Sequence, residues 1–360
     1  MELMQASRNW ASRPADERFT SLYDMRDHFG AQRQKSRELQ VASRKIIAQP
    51  CIDNAGLEIV GPNGAAYNPT HFAFSQIANL AEAPAGYLRT LPSPIAADCI
   101  NYGLQYKRNI EDVGILLYKN GENVLRAATG PRYGRIWNEP ILNTLCERFG
   151  DGVSGDWKVP GEFGEAVPIT KANTTLFAGD RDMFIFLADE QHKIEVPNRR
   201  NGKSGLMSRG FFLWNSEVGS STFGLATFVF DYTCSNRIVW GADNYKEIRL
   251  RHTASAPDRW LEEVQPALRL YANSSARSIT DGIAKAQAAR LDDLDAFLAG
   301  RFGKRMIDPL KMAHRVEEGR PIETLWDVTV AVTAHAKSIT HQDERVALER
   351  KGGDVLDLAA

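Results

Sequence analysis

Five cations punctuate one short stretch of this chain, HKIEVPNRRNGKSGLMSRG, where Lys193, Arg199, Arg200, Lys203 and Arg209 stand among glycines. Cations spaced along a flexible connection suit the phosphates of a nucleic-acid backbone. Gly202-Lys203-Ser204 also matches the end of a nucleoside-triphosphate loop, G-x-x-x-x-G-K-[ST]. That loop needs a glycine at 197, and Pro197 stands there, without the N–H that a phosphate cradle uses. The residues after Ser204, GLMSRGFFLW, read as a strand and offer no helix N-terminus. A nucleotide-hydrolysing loop is therefore excluded, and the stretch reads as a long connection between two strands. A solubilising turn would account for the charges alone. A length of roughly 15 residues weighs toward a functional loop.

Two further groups have the composition of a site. VLRAATGPRYGRIW places Arg132, Tyr133 and Arg135 close to Arg126, a mixture that suits backbone charge plus base stacking. Packing by Tyr133 and Trp137 with solvated arginines around them explains it as well. Arg249 and Arg251, in EIRLRHTA, fall on one side of a strand and extend the basic surface. In GFFLWNSEVG, Glu217 has the chemistry of a general base or, with Asp231 on the next strand, of a magnesium site. Closure of the corner by local bonds from Asn215, Ser216 and Glu217 is the preferred reading.

Composition narrows the classes. Of 360 residues, 44 are Lys or Arg and 45 are Asp or Glu, so any basic surface is local and not global. The four cysteines, Cys51, Cys99, Cys146 and Cys234, form no CxxC pair and read as reduced thiols. The histidines show no metal-ligand spacing, and neither a metal nor another cofactor is expected. The N-terminus carries acids and no apolar signal core, and no apolar run reaches 18 residues, so a cytoplasmic protein without a membrane partner is expected.

The elements that must position these residues follow from pattern. Residues 1–55 read as a polar arm, partly helical and partly mobile, whose basic stretch GAQRQKSRELQVASRK reads first as a solvated face and only as the alternative as a contact for a polyanion. Residues 56–275 read as the core domain. NPTHFAFSQIANL and SPIAADCINYGLQY are helices with Thr70 or Asn68 and Ser93 as caps. VGILLYKNGENVLRAAT is a hairpin turning at Asn120-Gly121. DMFIFLADE, GFFLWNSEVG and TFGLATFVFDY are three strands, followed by an amphipathic helix with Trp260, Leu261, Val264, Leu268 and Tyr271 as its apolar set. Residues 276–360 are helical. The class is α+β, a central antiparallel sheet with a β-β-β-α core, flanking helices and a helical C-terminal tail.

Several of these segments together, HFAFSQIANLAEAPAGYLRTLPSPIAADCINYGL, VLRAATGPRYGRIWNEPIL, GFFLWNSEVGSSTFGLATFVFDYTCSNRIV and RHT, resemble the phage/plasmid-like protein family (domain of unknown function 932). The resemblance covers roughly residues 65–275. Arg237 stands where that family usually has a glycine. The family carries no agreed activity; it implies a mobile-element setting, where DNA replication, recombination and anti-host functions are common. The β-β-β-α order is also that of phage single-strand annealing proteins. The expectation is a DNA-metabolism protein, not an enzyme, that binds or anneals single-stranded DNA as a homo-oligomer in the host cytoplasm. Lys193, Arg199, Arg200, Lys203 and Arg209 would hold phosphates, helped by Arg132, Tyr133, Arg135, Arg249 and Arg251. The alternatives are a metal-dependent enzyme on nucleic acid using Glu217 and Asp231, or an oligomeric structural protein whose partner is a host protein.

Overall fold

The computed structural model describes residues 14–359 apart from 53–55, 63, 107–111, 160–167, 200–201, 232–235, 239, 241–246 and 340–341. In chain order its strands are β1 (Arg18–Phe19), β2 (Ser36–Ala42), β3 (Ile47–Pro50), β4 (Leu57–Val60), β5 (Ala66–Pro69), β6 (Asp112–Asn120) and β7 (Glu122–Thr129). Then follow β8 (Trp157–Lys158), β9 (Leu176–Ala178), β10 (Met183–Asp189), β11 (Ile194–Val196), β12 (Gly205–Asn215), β13 (Phe223–Asp231), β14 (Asn236–Ile238) and β15 (Glu247–Leu250). The helices used below are α1 (Leu22–Gln34), α2 (His71–Leu80), α3 (Ser93–Tyr106) and α4 (Asn138–Phe149). Next comes α5, built from Ala256–Arg259, a π-turn Trp260–Val264 and Gln265–Asn273. The rest are α6 (Arg277–Ala288), α7 (Leu294–Phe302), α8 (Ile307–Glu318), α9 (Leu325–Lys337) and α10 (Gln342–Leu356).

Two sheets organise the chain. The larger runs β1-β9-β10-β12-β13-β14, with β8 paired to β10, β11 to β12 and β15 to β13. Its centre is the antiparallel set β10, β12 and β13 that the alternation in the sequence predicts. Phe211, Leu213, Phe223 and Leu225 on one face pack against Trp260, Val264, Leu268 and Tyr271 of α5. Burying each such side chain contributes roughly 1.5–3 kcal/mol. Leu261, expected in that apolar set, is instead 54% exposed. Pro266 has no N–H to give its helix, and the π-turn lies immediately before it.

The smaller sheet runs β2-β6-β7-β5-β4-β3. The Asn120-Gly121 signal is realised as the β6/β7 turn, with Gly121 at φ 83°. Thr70 caps α2 by accepting from Ala73 N at 3.1 Å. Helices α2 and α3 cover one face over Val113, Ile115, Leu117, Leu125 and Ala128. At the β3 edge the Asn101 amide accepts from Ala48 N and donates to Ala48 O, both at 2.8 Å, which closes that edge. The expected N-terminal arm is folded from Ala15 onward: it supplies β1 to the larger sheet, β2 and β3 to the smaller, and α1 against α4.

Helices α6 to α10 form a third core with Trp326 and Val330 at its centre, and β11 and β14 of the larger sheet join it through Ile194, Val196 and Ile238. Among the described residues no helix is long and apolar enough to cross a membrane.

Candidate functional site

The basic connection between β11 and β12 is a docked turn. It reverses at Asn198 (φ 54°) and Gly202 (φ 75°), closed by Arg199 N donating to Lys203 O and Gly202 N donating to Arg199 O, both at 2.7 Å. The Arg199 side chain is 1% exposed. It donates to Glu318 on α8 from Nε at 2.8 Å and from Nη2 at 2.7 Å, and lies 5.4 Å from the Trp326 ring. Arg320 holds Asn198 O at 3.3 Å and Gln287 holds Pro197 O at 2.9 Å. The tip is therefore anchored to the helical region by a buried ion pair and two backbone contacts.

Arg209 is turned inward as well. It bonds Asp189 from Nε at 3.1 Å, then the last carbonyls of α5: Tyr271 O at 3.1 Å, and Ser274 O. A cation at a helix C-terminus, adding a donor to its last carbonyls, is a structural device. Lys193 lies 3.5 Å from Glu190. Lys203 is exposed, and Arg200 lies outside the described residues. The predicted phosphate-holding cluster is thus corrected. Arg199 and Arg209 cannot reach a phosphate without abandoning the buried carboxylates of Glu318 and Asp189, at the cost of breaking a buried pair.

The NSEVG corner is the hub where the two sheets and α4 meet. Ser216 closes it locally, its hydroxyl accepting from Ser220 N at 2.9 Å and donating to Arg181 O at 2.6 Å. Asn215 and Glu217 reach further than local closure predicts. Glu217 accepts from Asn138 N at 2.8 Å, capping α4, and pairs with Arg126 at 2.9 Å, with both side chains at most 6% exposed. Asn215 donates to Ile136 O at 2.8 Å and to Asn138 Oδ1 at 2.7 Å. Arg135, 1% exposed, donates to Glu217 O and pairs with Glu38 at 3.0 Å.

Tyr133 donates to Ser216 O at 2.7 Å and stacks on His252 at 4.9 Å, and burial pushes its phenol well above the usual range. His252 Nδ1 donates to Gly134 O at 3.1 Å, and burial pulls its imidazole down to about 4. Tyr133 and Arg135 therefore hold the hub together and present no stacking platform.

The magnesium alternative is also corrected. Asp231 is paired with Met207, at the end of the hairpin opposite Asn215. Eight residues of strand separate Met207 from Asn215, about 26 Å at ~3.3 Å per residue, so one ion cannot bridge Glu217 and Asp231. The Asp231 side chain lies outside the described residues. Among the described residues no group of three or more His, Cys, Asp or Glu is arranged to hold a metal ion.

Cations that do face solvent lie elsewhere. Arg132, Arg249 and Arg251 are exposed, and Gly134 N donating to His252 O at 3.1 Å joins the Arg132 and Arg251 segments. Arg249 sits 5.8 Å from the Trp214 ring. A second group lines a groove of about 450 Å³ on the smaller sheet: Lys35, Arg37 and Lys119 with Tyr67, Tyr118 and Asn123, and no carboxylate. Lys119 N donates to Lys35 O at 3.1 Å, Arg37 is paired with Leu117, and Lys119 with Asn123. Strand pairing thus gathers three cations from the end of α1, the β2 edge and the β6 tip. The basic stretch 30–45 was the one sequence signal for this groove; nothing local pointed to Lys119 as its partner. A larger cleft, about 900 Å³, holds Arg148, Lys193 and Arg277 but also Asp156 and Glu195. Its mixed charge suits a polyanion less well.

No family model, no curated protein and no solved structure matches this chain.

Proposed function

We propose that this protein binds single-stranded nucleic acid, DNA in a mobile-element setting, along the groove on its smaller sheet, without nucleotide hydrolysis. One observation carries the reading: Lys35, Arg37 and Lys119 converge beside Tyr67 and Tyr118 with no acid among them. Cations along a groove neutralise phosphates, and tyrosines accept bases of any sequence, each stack contributing about 1–3 kcal/mol. Arg132, Arg249, Arg251 and Lys203 are exposed, whereas Arg199 and Arg209 are buried against acids. The resemblance to the phage/plasmid-like family supports a DNA-metabolism setting in a host cytoplasm. The β-β-β-α order supports the analogy with annealing proteins that work as homo-oligomers.

Fluorescence anisotropy with a labelled single-stranded oligonucleotide across a salt series tests this. Three phosphate contacts give a log–log salt slope of about −2 at ~0.7 per single-strand phosphate. The combined Lys35→Glu, Arg37→Glu and Lys119→Glu variant loses binding at unchanged melting temperature. Absence of binding at low salt, a flat salt response, or full binding by the variant refutes the proposal.

A further inference from the structure

The cleft of about 900 Å³ beside β8, β11 and the start of α6 contains a histidine whose ring is held from below. Asp189, at the end of β10, is fully buried. Its Oδ2 accepts from Arg209 Nε at 3.1 Å, and Trp157 of β8 pairs with it in the sheet. Its Oδ1 accepts twice from His192, from the backbone N and from the ring Nδ1, each at 3.0 Å. The backbone bond alone would close the turn between β10 and β11. The ring bond adds an orientation. A carboxylate paired with an arginine only accepts, so Nδ1 carries the imidazole proton and Nε2 of the neutral ring keeps its lone pair. That ring is 63% exposed and lines the cleft. A buried acid fixing one nitrogen of an otherwise exposed imidazole is the arrangement of a general base and its orienting partner. Cations share the cleft: Arg148 near the end of α4, Lys193 beside the histidine, and Arg277 at the start of α6, all exposed. Lys193 lies 3.5 Å from Glu190 and Arg277 3.7 Å from Asp281, surface pairs that hold a cation weakly. Asp156 and Glu195 also line the cleft, so it suits one phosphate better than a long run of them.

We infer that this cleft is a catalytic site for single-stranded RNA, with His192 as its general base. A base set among cations calls for a substrate that brings a hydroxyl next to a phosphate, and every RNA nucleotide does so through its 2′-OH. His192 Nε2 takes the 2′-OH proton and the 2′ oxygen forms a bond to the adjacent phosphorus. The bond from that phosphorus to the 5′ oxygen of the next nucleotide breaks. The leaving oxygen takes a proton from solvent water, and His192 returns its own proton to the hydroxide so formed. The products are a 2′,3′-cyclic phosphate and a 5′-hydroxyl, with no net proton change and no co-reactant. Arg148, Lys193 and Arg277 offset the charge that builds on the phosphate oxygens. Asp189 acts through His192 and is a positioning residue. DNA has no 2′-OH and is not cut. The step uses no residue of the groove on the smaller sheet, so either site can fail alone.

A short RNA carrying a dye and a quencher, set against the same sequence in DNA, tests the inference with the full chain. Fluorescence is expected to rise for RNA alone, and mass spectrometry to find the cyclic phosphate. His192→Ala should lose about 10²–10⁴-fold in kcat/KM with circular dichroism unchanged, since the ring is mostly exposed. Added imidazole should restore part of that loss, which a merely structural histidine would not show. The combined Lys35→Glu, Arg37→Glu and Lys119→Glu variant should cut the short RNA at the wild-type rate. Intact RNA with the wild type overturns the inference. So does His192→Ala cutting as fast as the wild type, or failing to respond to imidazole. Cleavage of DNA at the RNA rate, products without a cyclic phosphate, or a groove variant that no longer cuts would each place the reaction elsewhere and overturn it too.

Discussion

Arg199→Ala separates two roles for the basic turn, a latch on the helical region or a hand for phosphates. The Arg199 and Glu318 side chains are each 1% exposed, and Glu318 Oε2 has no hydrogen-bond partner even with the arginine in place. Removing the guanidinium leaves a buried carboxylate whose one remaining nearby cation, Arg320, is committed to Asp327, and it uncovers the Trp326 ring. Breaking a buried pair from one side costs about 3–5 kcal/mol. At ~2.1 cal/mol/K per residue, 360 residues lose about 1.3 °C per kcal/mol, so the melting temperature falls by about 4–7 °C if the chain unfolds as one unit.

Urea denaturation followed by circular dichroism reads the free energy directly. Replacing both partners, Arg199→Met with Glu318→Leu, should return stability to within about 1 kcal/mol of wild type, because most of the single-variant loss is the stranded charge. Oligonucleotide affinity and its salt slope should not change in either variant. A loss below about 1 kcal/mol in Arg199→Ala, or a salt slope that falls by about 0.7, would refute the latch and restore this arginine to a phosphate.

Two further outcomes follow from the hub. Glu217→Ala strands the Arg126 guanidinium, whose Nη1 is already unpartnered, and uncaps α4, so a loss of about 3–5 kcal/mol is expected in thermal melts, with Glu217→Gln losing less. His252 adds a pH dependence of known sign. Burial holds its folded value near 4, below the ordinary 6.5, so the unfolded chain binds the extra proton between those values. Its contribution is fully present above about pH 6.5 and is lost as pH falls toward 4, by at most about 3 kcal/mol at ~1.4 kcal/mol per unit. Melting temperatures of His252→Gln should fall less steeply over that window than those of wild type. Parallel curves would remove this histidine as the cause.

The elements of the fold were legible where the signal is local. Asn120-Gly121, Thr70 before an apolar run, and the strand pattern from Phe211 to Asn215 each act within a few residues, and each is realised, although the strand stops at Asn215 and Ser216 to Val218 turn the corner. What could not be read was the direction in which a cation points. Arg199 is buried because Glu318 lies across from it, 119 residues later in the chain, and Arg209 because Asp189 stands on the neighbouring strand. Neither carboxylate is marked locally, so a row of arginines on a loop looks the same in sequence whether it serves as a latch or as a surface. The groove shows the converse. Lys119 at a hairpin tip looks like an ordinary solvated charge until β2 pairs with β6 and brings Arg37 and Lys35 beside it. Burial of an arginine demands an acid, whereas a phosphate-binding surface demands that acids stay away. The useful discriminator for a polyanion site is therefore the absence of carboxylates around a set of cations, a property of three-dimensional neighbours. By that measure the smaller sheet qualifies and the basic turn does not.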